Sequence, residues 1–351
     1  MRRNKAAVLV SMALVGTFLL SGCAAKSSDT LINIDNGKAK ITYGYGNFVA
    51  KYNQATYDQY YLQYMGQNYW SQSQGSKTME ETVKDNVIDG IEEQYVDKQH
   101  AGDYNVKVTS EDKKKIEAAA KKFISKNSSK AIKQMGATES YVKDLLEYET
   151  YQARVRNAVE DKASVTVTDD EARQSTISYV CFSTASTTDA SGNAKTLTEA
   201  EKQDMKKKAE NVANASDFDK AAKAAGGNVS THSYTTNAKS YDSDVLGKDV
   251  IKAAKKLTKE GQISDVIYVK NRGYFVLRMD KLTDEKATKS KKKDLTSEKK
   301  QKVYEKLVKK WVKQANFKLD KNLWEQVKFE DLFTAKTKNA SGNASGSSIS
   351  K

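Results

Sequence analysis

Side chains that carry covalent or metal chemistry are scarce in this 351-residue chain, which holds two histidines and two cysteines. A metal centre or a serine triad needs several such groups converging on one point, and His100 and His232 supply too little material for either. No metal and no cofactor is expected. His232, within Ser230-Thr231-His232-Ser233-Tyr234, reads as a polar loop residue. Asp169-Asp170-Glu171 follows Thr168 and reads as the first turn of a helix, where carboxylates meet the positive end of the macrodipole, rather than as an acid–base pair. Asp242 and Asp244 read as turn residues. Cys181 alternates with Val180 and Phe182, which places it on one face of a half-buried strand as a small core residue.

The elements around Cys181 are easier to read than its chemistry. Ile177-Ser178-Tyr179-Val180-Cys181-Phe182-Ser183 is rich in β-branched and aromatic residues and predicts a strand. A polar insertion, Thr184 to Thr196, follows. Thr198-Glu199-Ala200-Glu201 is a capping box for a helix to about Val212, and Asp217 to Ala225 is a shorter helix stopped by Gly226-Gly227. Gln262 to Val269 and Arg272 to Arg278 flank Lys270-Asn271-Arg272-Gly273, residues that tolerate positive φ, and so predict a hairpin.

This order, with Glu260-Gly261-Gln262-Ile263-Ser264 before the hairpin and Gly273-Tyr274 inside it, resembles the parvulin type of peptidyl-prolyl isomerase. The resemblance runs from Ile177 to Leu282 and implies an α+β domain over 165–285. It also implies a prolyl pocket, a candidate peptide-binding groove, at Tyr179, Tyr234, Leu246, Val250 and Phe275. Parvulin sites carry one histidine on the first strand and one on the last, around a cysteine or aspartate. Here Tyr179 and Phe275 stand at the histidine positions, and the loop that bears Gly-Gly-Asp-Leu-Gly in the family reads Gly226-Gly227-Asn228-Val229. Prolyl isomerisation makes and breaks no covalent bond, and the amide rotation barrier of about 18–20 kcal/mol can be lowered by stripping water from the twisted amide. An apolar pocket without histidine is therefore expected to retain weak activity or none, and no residue is assigned a catalytic role.

Upstream, residues 1–22 have a basic start (Arg2, Arg3, Lys5) and an apolar run from Ala6 to Leu20, too short to span a bilayer and suited to a secretory signal. Leu20-Ser21-Gly22-Cys23 resembles a bacterial lipobox, which implies lipidation of Cys23 and a membrane anchor on the extracytoplasmic side. Residues 23–37 read as a tether, and Ile41, Tyr43 and Tyr45 alternate as in a strand. Residues 78–99 place Met79, Val83, Val87 and Ile91 on one helical face. A helix at Thr109-Ser110-Glu111-Asp112 and one capped by Thr138 follow. Residues 38–164 thus form an α-helical domain whose layout is similar to the chaperone region of PrsA-type and SurA-type foldases. Tyrosines 57, 60, 61, 64 and 69 read either as packing for a helix or as an aromatic surface for unfolded chains. Residues 286–333 form a C-terminal segment expected to return to the helical domain, with a lysine-rich linker at Lys286 to Lys293 and a helix from Ser297 to Ala315. Residues 334–351 are polar and expected to be disordered.

Apolar residues make up 38%, charged residues 30%, and the net charge is +14 with lysine dominant. No nucleic-acid motif accompanies that charge, so an anionic lipid or cell-wall polymer is the partner it suits. The combined reading is an α+β, membrane-anchored extracytoplasmic foldase whose partners are unfolded or partly folded secreted proteins. A non-catalytic binding or scaffold lipoprotein is the alternative.

Overall fold

The computed structural model of the chain describes residues 25–66, 68–188 and 194–334. The leader, Cys23 and residues 335–351 of the expected tail lie outside the described residues. Two compact units divide the chain: residues up to 156 with those from 308 on, and residues 157–307.

The first unit opens with β1 (Thr30–Ile34), which turns through Asp35, Asn36 and Gly37 at φ 47°, 56° and 96° into β2 (Ala39–Thr42). Helix α1 (Tyr43–Met65) starts at once, because the Thr42 hydroxyl accepts from the Tyr45 amide at 3.4 Å. Tyr43 and Tyr45, whose alternation with Ile41 suggested a strand, are therefore helical. Then come α2 (Met79–His100), α3 (Ser110–Lys126), α4 (Ser129–Met135) and α5 (Glu139–Lys162). Thr78 with Glu81 and Thr109 with Asp112 close reciprocal capping boxes at α2 and α3. The four-residue spacing buries Val83, Val87 and Ile91 on α2 as predicted. Arg154 grips Asp112 with two hydrogen bonds, at 2.7 and 2.8 Å, and holds its carboxyl well below the usual range.

The second unit is a four-stranded antiparallel sheet with helices on both faces. Its elements are α6 (Asp169–Ala172), β3 (Gln174–Ser183), α7 (Glu199–Ala213), α8 (Phe218–Ala224), β4 (Ser230–Thr235), α9 (Lys248–Ala254), β5 (Ile267–Val269), β6 (Gly273–Lys281) and most of α10 (Glu285–Ala315). The strand order is β4-β3-β6-β5. Alternation on β3 sends Ile177, Tyr179 and Cys181 toward α9, and Val180 and Phe182 toward α7 and α8, where Ala209, Val212, Phe218 and Ala222 bury them. The β5–β6 hairpin turns at Asn271 (φ 64°) and Gly273 (φ 132°). A Cβ at Gly273 would lie 2.2 Å from the Phe182 carbonyl oxygen, so only glycine fits there.

The lysine-rich stretch 286–293 is not a linker but the first turns of the 31-residue α10. Lysine is a good helix former. Asp284 supplies the start: it accepts from the Ala287 amide at 3.0 Å and from the Thr176 hydroxyl at 2.9 Å. After α10 the chain enters β7 (Phe317–Leu319) and α11 (Lys321–Trp324) in the first unit. β7 pairs with β1 in the register Ile32↔Leu319 and Ile34↔Phe317. This pairing corrects the tether reading for residues 30–34: Leu31, Ile32 and Ile34 are buried in a strand whose partner lies almost three hundred residues away in the chain. His100 stacks on Trp311 at 4.3 Å, and Tyr95 meets Phe317 at 5.7 Å. The α+β class expected from the sequence is the one observed.

Candidate peptide-binding site

The five residues expected to form a groove meet in one cluster on the α9 side of the sheet. Tyr179 projects from β3, Tyr234 from β4 and Phe275 from β6, while Leu246 and Val250 come from α9 and the turn before it. Antiparallel register sets Phe275 opposite Cys181 and Tyr179 opposite Leu277 and Ser230. The Tyr179 and Phe275 rings lie 6.3 Å apart. Tyr234, Leu246, Val250 and Phe275 are 3%, 3%, 0% and 1% exposed, whereas Tyr179 is half-buried.

A strap formed by residues 236–247 crosses the edge of this cluster. Asp244 ties it down: its carboxylate accepts from the Leu246 amide at 2.9 Å and lies 3.0 Å from His232 Nε2. His232 sits on β4 opposite Ile177, on the same face as Tyr234. It is thus a strand residue in a His–Asp pair and not the loop residue its neighbours suggested. On the other side Arg272 donates to the Leu246 carbonyl at 2.6 Å, with its guanidinium 4.9 Å from the Phe275 ring centre. Cys181 is half-buried nearby, and burial pushes its thiol pKa up, which leaves it a poor nucleophile at neutral pH. The chemistry available is apolar enclosure with a His–Asp pair and a guanidinium at the border. Reading the sequence missed His232–Asp244 and Arg272–Leu246. The turn signal at Asp244 was visible, but nothing local showed its carboxylate folding back twelve residues onto a strand.

A cavity of about 630 Å³ opens beside this cluster, between α9 and residues 262–268. Ala253, Leu257 and Ile267 belong to both, and Tyr268, 57% exposed, stands at its edge.

In the first unit the end of α1 carries another aromatic assembly. Tyr69 and Trp70 are buried at its root, where Trp70 donates to Asp58 at 2.8 Å and its ring meets Phe329 at 4.7 Å. Tyr61 stacks on Tyr69 at 6.0 Å and packs at a tilt against Tyr57 at 5.5 Å. Tyr60, Tyr61, Tyr64 and Met65 form its crown, 60%, 47%, 79% and 44% exposed. Residues 59–76 contain no charged side chain, in a chain with 30% of them.

Residues 185–292 match the family model of the PPIC-type PPIase domain, which bears out the parvulin-type reading for about a third of the chain. Solved structures similar to this chain include foldase protein PrsA from Streptococcus pneumoniae, at 19% identity and a TM-score of 0.32 over 73% of this chain and 97% of that one. Peptidylprolyl isomerase (PrsA) from Bacillus cereus matches at 19% identity and a TM-score of 0.29, over 73% and 95%. A structure described among the SurA-like chaperones of Campylobacter jejuni matches at 11% identity and a TM-score of 0.27, over 83% and 98%. No curated protein matches the sequence.

Proposed function

We propose that this chain, which carries a PPIC-type peptidyl-prolyl isomerase domain, is an extracytoplasmic foldase anchored through a lipidated Cys23. It holds unfolded or partly folded secreted proteins on the aromatic crown of α1, and the cluster around Tyr179 is its candidate site for prolyl bonds. The observation that carries this reading is the domain match over 185–292 together with the convergence of Tyr179, Tyr234, Leu246, Val250 and Phe275 on one face of its sheet. Catalysis is weak or lost, because Tyr179 and Phe275 replace the histidines of the family and the strap over the cluster must move before a peptide enters. Lysine-rich surfaces add attraction to an anionic lipid or cell-wall polymer, an interaction that salt would screen. The second reading, a non-catalytic binding or scaffold lipoprotein, is favoured by the burial of four of the five residues.

Two assays on the full-length protein decide between them. Catalysed cis–trans isomerisation of a proline-containing peptide, lost in Tyr179→Ala, supports a working site. The chain has no proline of its own to confuse the signal. Slowed aggregation of an unfolded client without isomerisation selects the non-catalytic holdase, and failure in both assays removes the foldase reading. Cys23→Ser is expected to shift the protein from the membrane to the soluble fraction.

A further inference from the structure

Residues 327–333 run through the first unit without helix or strand, yet Val327, Phe329 and Phe333 are only 0%, 2% and 8% exposed. We propose, resting on the client-holding reading above, that they occupy in cis a peptide-binding groove of α1, α2 and α4. A segment of an unfolded client with the same spacing of apolar side chains displaces them.

The groove grips main chain. Lys84 on α2 donates to the Val327 carbonyl at 2.6 Å, and Lys51 on α1 donates to that of Lys328. Gln54 on α1 donates to the Phe329 and Asp331 carbonyls at 3.3 and 2.9 Å, and Gln134 on α4 also donates to that of Asp331 at 2.8 Å. Asp58 accepts from the Phe333 amide at 2.8 Å. Among the described residues, 328–333 make no main-chain to main-chain hydrogen bond. They can leave without breaking a helix or a sheet, which puts this opening at the low end of local stability.

Packing alone does not call for such a floor. Gln54, Asp58 and Lys84 are 0%, 4% and 8% exposed, and burying groups of this kind is costly unless each is hydrogen-bonded. Burial lowers the amine pKa of Lys51 and Lys84, a sign of the same cost. Apolar side chains would seat Val327 and Phe329 without it. What the donors and the carboxylate do match is the carbonyls and amides common to every peptide, while the seats of Val327, Phe329 and Phe333 select side chains by size and spacing. Phe329 meets the Trp70 ring at 4.7 Å, and Trp70 shares the Asp58 carboxylate with the Phe333 amide, so groove and crown belong to one assembly.

The test is fluorescence anisotropy of a labelled peptide of residues 326–334, titrated with the full-length protein and with its Phe333→Ala variant, which loosens the resident segment and keeps every gripping side chain. A tethered segment competes as if present at about millimolar concentration, so the parent should bind weakly and the variant about tenfold more tightly. A peptide with serine in place of Val327, Phe329 and Phe333 should bind neither. No client aggregates in this titration, so the groove can fail while the aggregation assay of the foldase reading succeeds, and the reverse. Equal affinity for parent and variant, no binding to either, or equal binding of the serine peptide overturns the proposal. Hydrogen exchange of the parent needs no variant and decides the matter should Phe333→Ala fold poorly. Excess peptide should speed exchange at 328–333 and leave α5 unchanged; binding without that change puts the peptide elsewhere and overturns the proposal.

Discussion

Two aromatic assemblies in this protein use the same side chains to opposite ends. At the end of α1, Tyr60, Tyr61 and Tyr64 stand out in solvent above a buried root of Tyr69 and Trp70. Against α9, Tyr234 and Phe275 are sealed beneath Leu246 and Val250, and only Tyr179 retains an exposed part. A helix end has one covered face and leaves the rest to water. A sheet face flanked by a helix and a tied strap has none to spare. The first assembly presents its rings to solvent as it stands, whereas the second would have to open before a chain could reach its buried rings. On the function proposed above, a client would meet the α1 crown without rearrangement, and binding at the sheet would carry the cost of moving the strap.

The strongest way to break this contrast is Phe275→Ala. If the cluster is a packed core, removing a ring that is 1% exposed should cost about 3–5 kcal/mol and shift the urea midpoint of the second unit accordingly. A loss below about 1 kcal/mol would mean that the cluster is loosely packed and already open.

A pH lever separates the two units at smaller amplitude. Glu92, on α2 in the first unit, has its carboxyl pushed up to about 7 by burial and, secondarily, by Asp89. An acid with a raised folded-state pKa favours the folded state while it is protonated there. The first unit should therefore lose stability as pH rises from about 4.5, the ordinary glutamate value, through 7. Discounted for the solvent Glu92 still meets, the effect is about 1 kcal/mol. Glu92→Gln is expected to raise the Tm of the first unit at pH 8 and to leave it unchanged at pH 4. Equal behaviour at both values would refute the assignment.

The smallest stability effect, and the sharpest functional one, belongs to Tyr60→Ser with Tyr64→Ser. Exposed side chains of this kind change stability by about 0.5 kcal/mol or less. Suppression of client aggregation should nevertheless drop at least by about half if a few aromatic anchors dominate that contact. Undiminished suppression would assign client holding to another surface.

Much of the architecture was legible because it is local. Thr168 with Glu171 and Thr198 with Glu201 close the capping boxes their spacing announced, and the β5–β6 hairpin turns at Asn271 and Gly273 as the tetrad implied. Alternation along β3 correctly divided Cys181 from Val180 and Phe182, and the parvulin-type order of elements followed from those pieces. The misreadings share a cause. Leu31, Ile32 and Ile34 looked like three apolar residues in a tether because their partner strand is at 317–319. The lysines of 286–293 resemble a linker by their charge, yet lysine propagates a helix once Asp284 has started it.

Local residue patterns settle which short segments become helices, strands and turns, since those depend on neighbours within a few residues. How deeply each aromatic residue lies, that Asp244 reaches back to His232, and that the Tyr45 hydroxyl is buried without a partner among the described residues follow from the folded chain alone. Burial and orphaned polar groups depend on what the rest of the chain brings alongside, and no local pattern of residues records that.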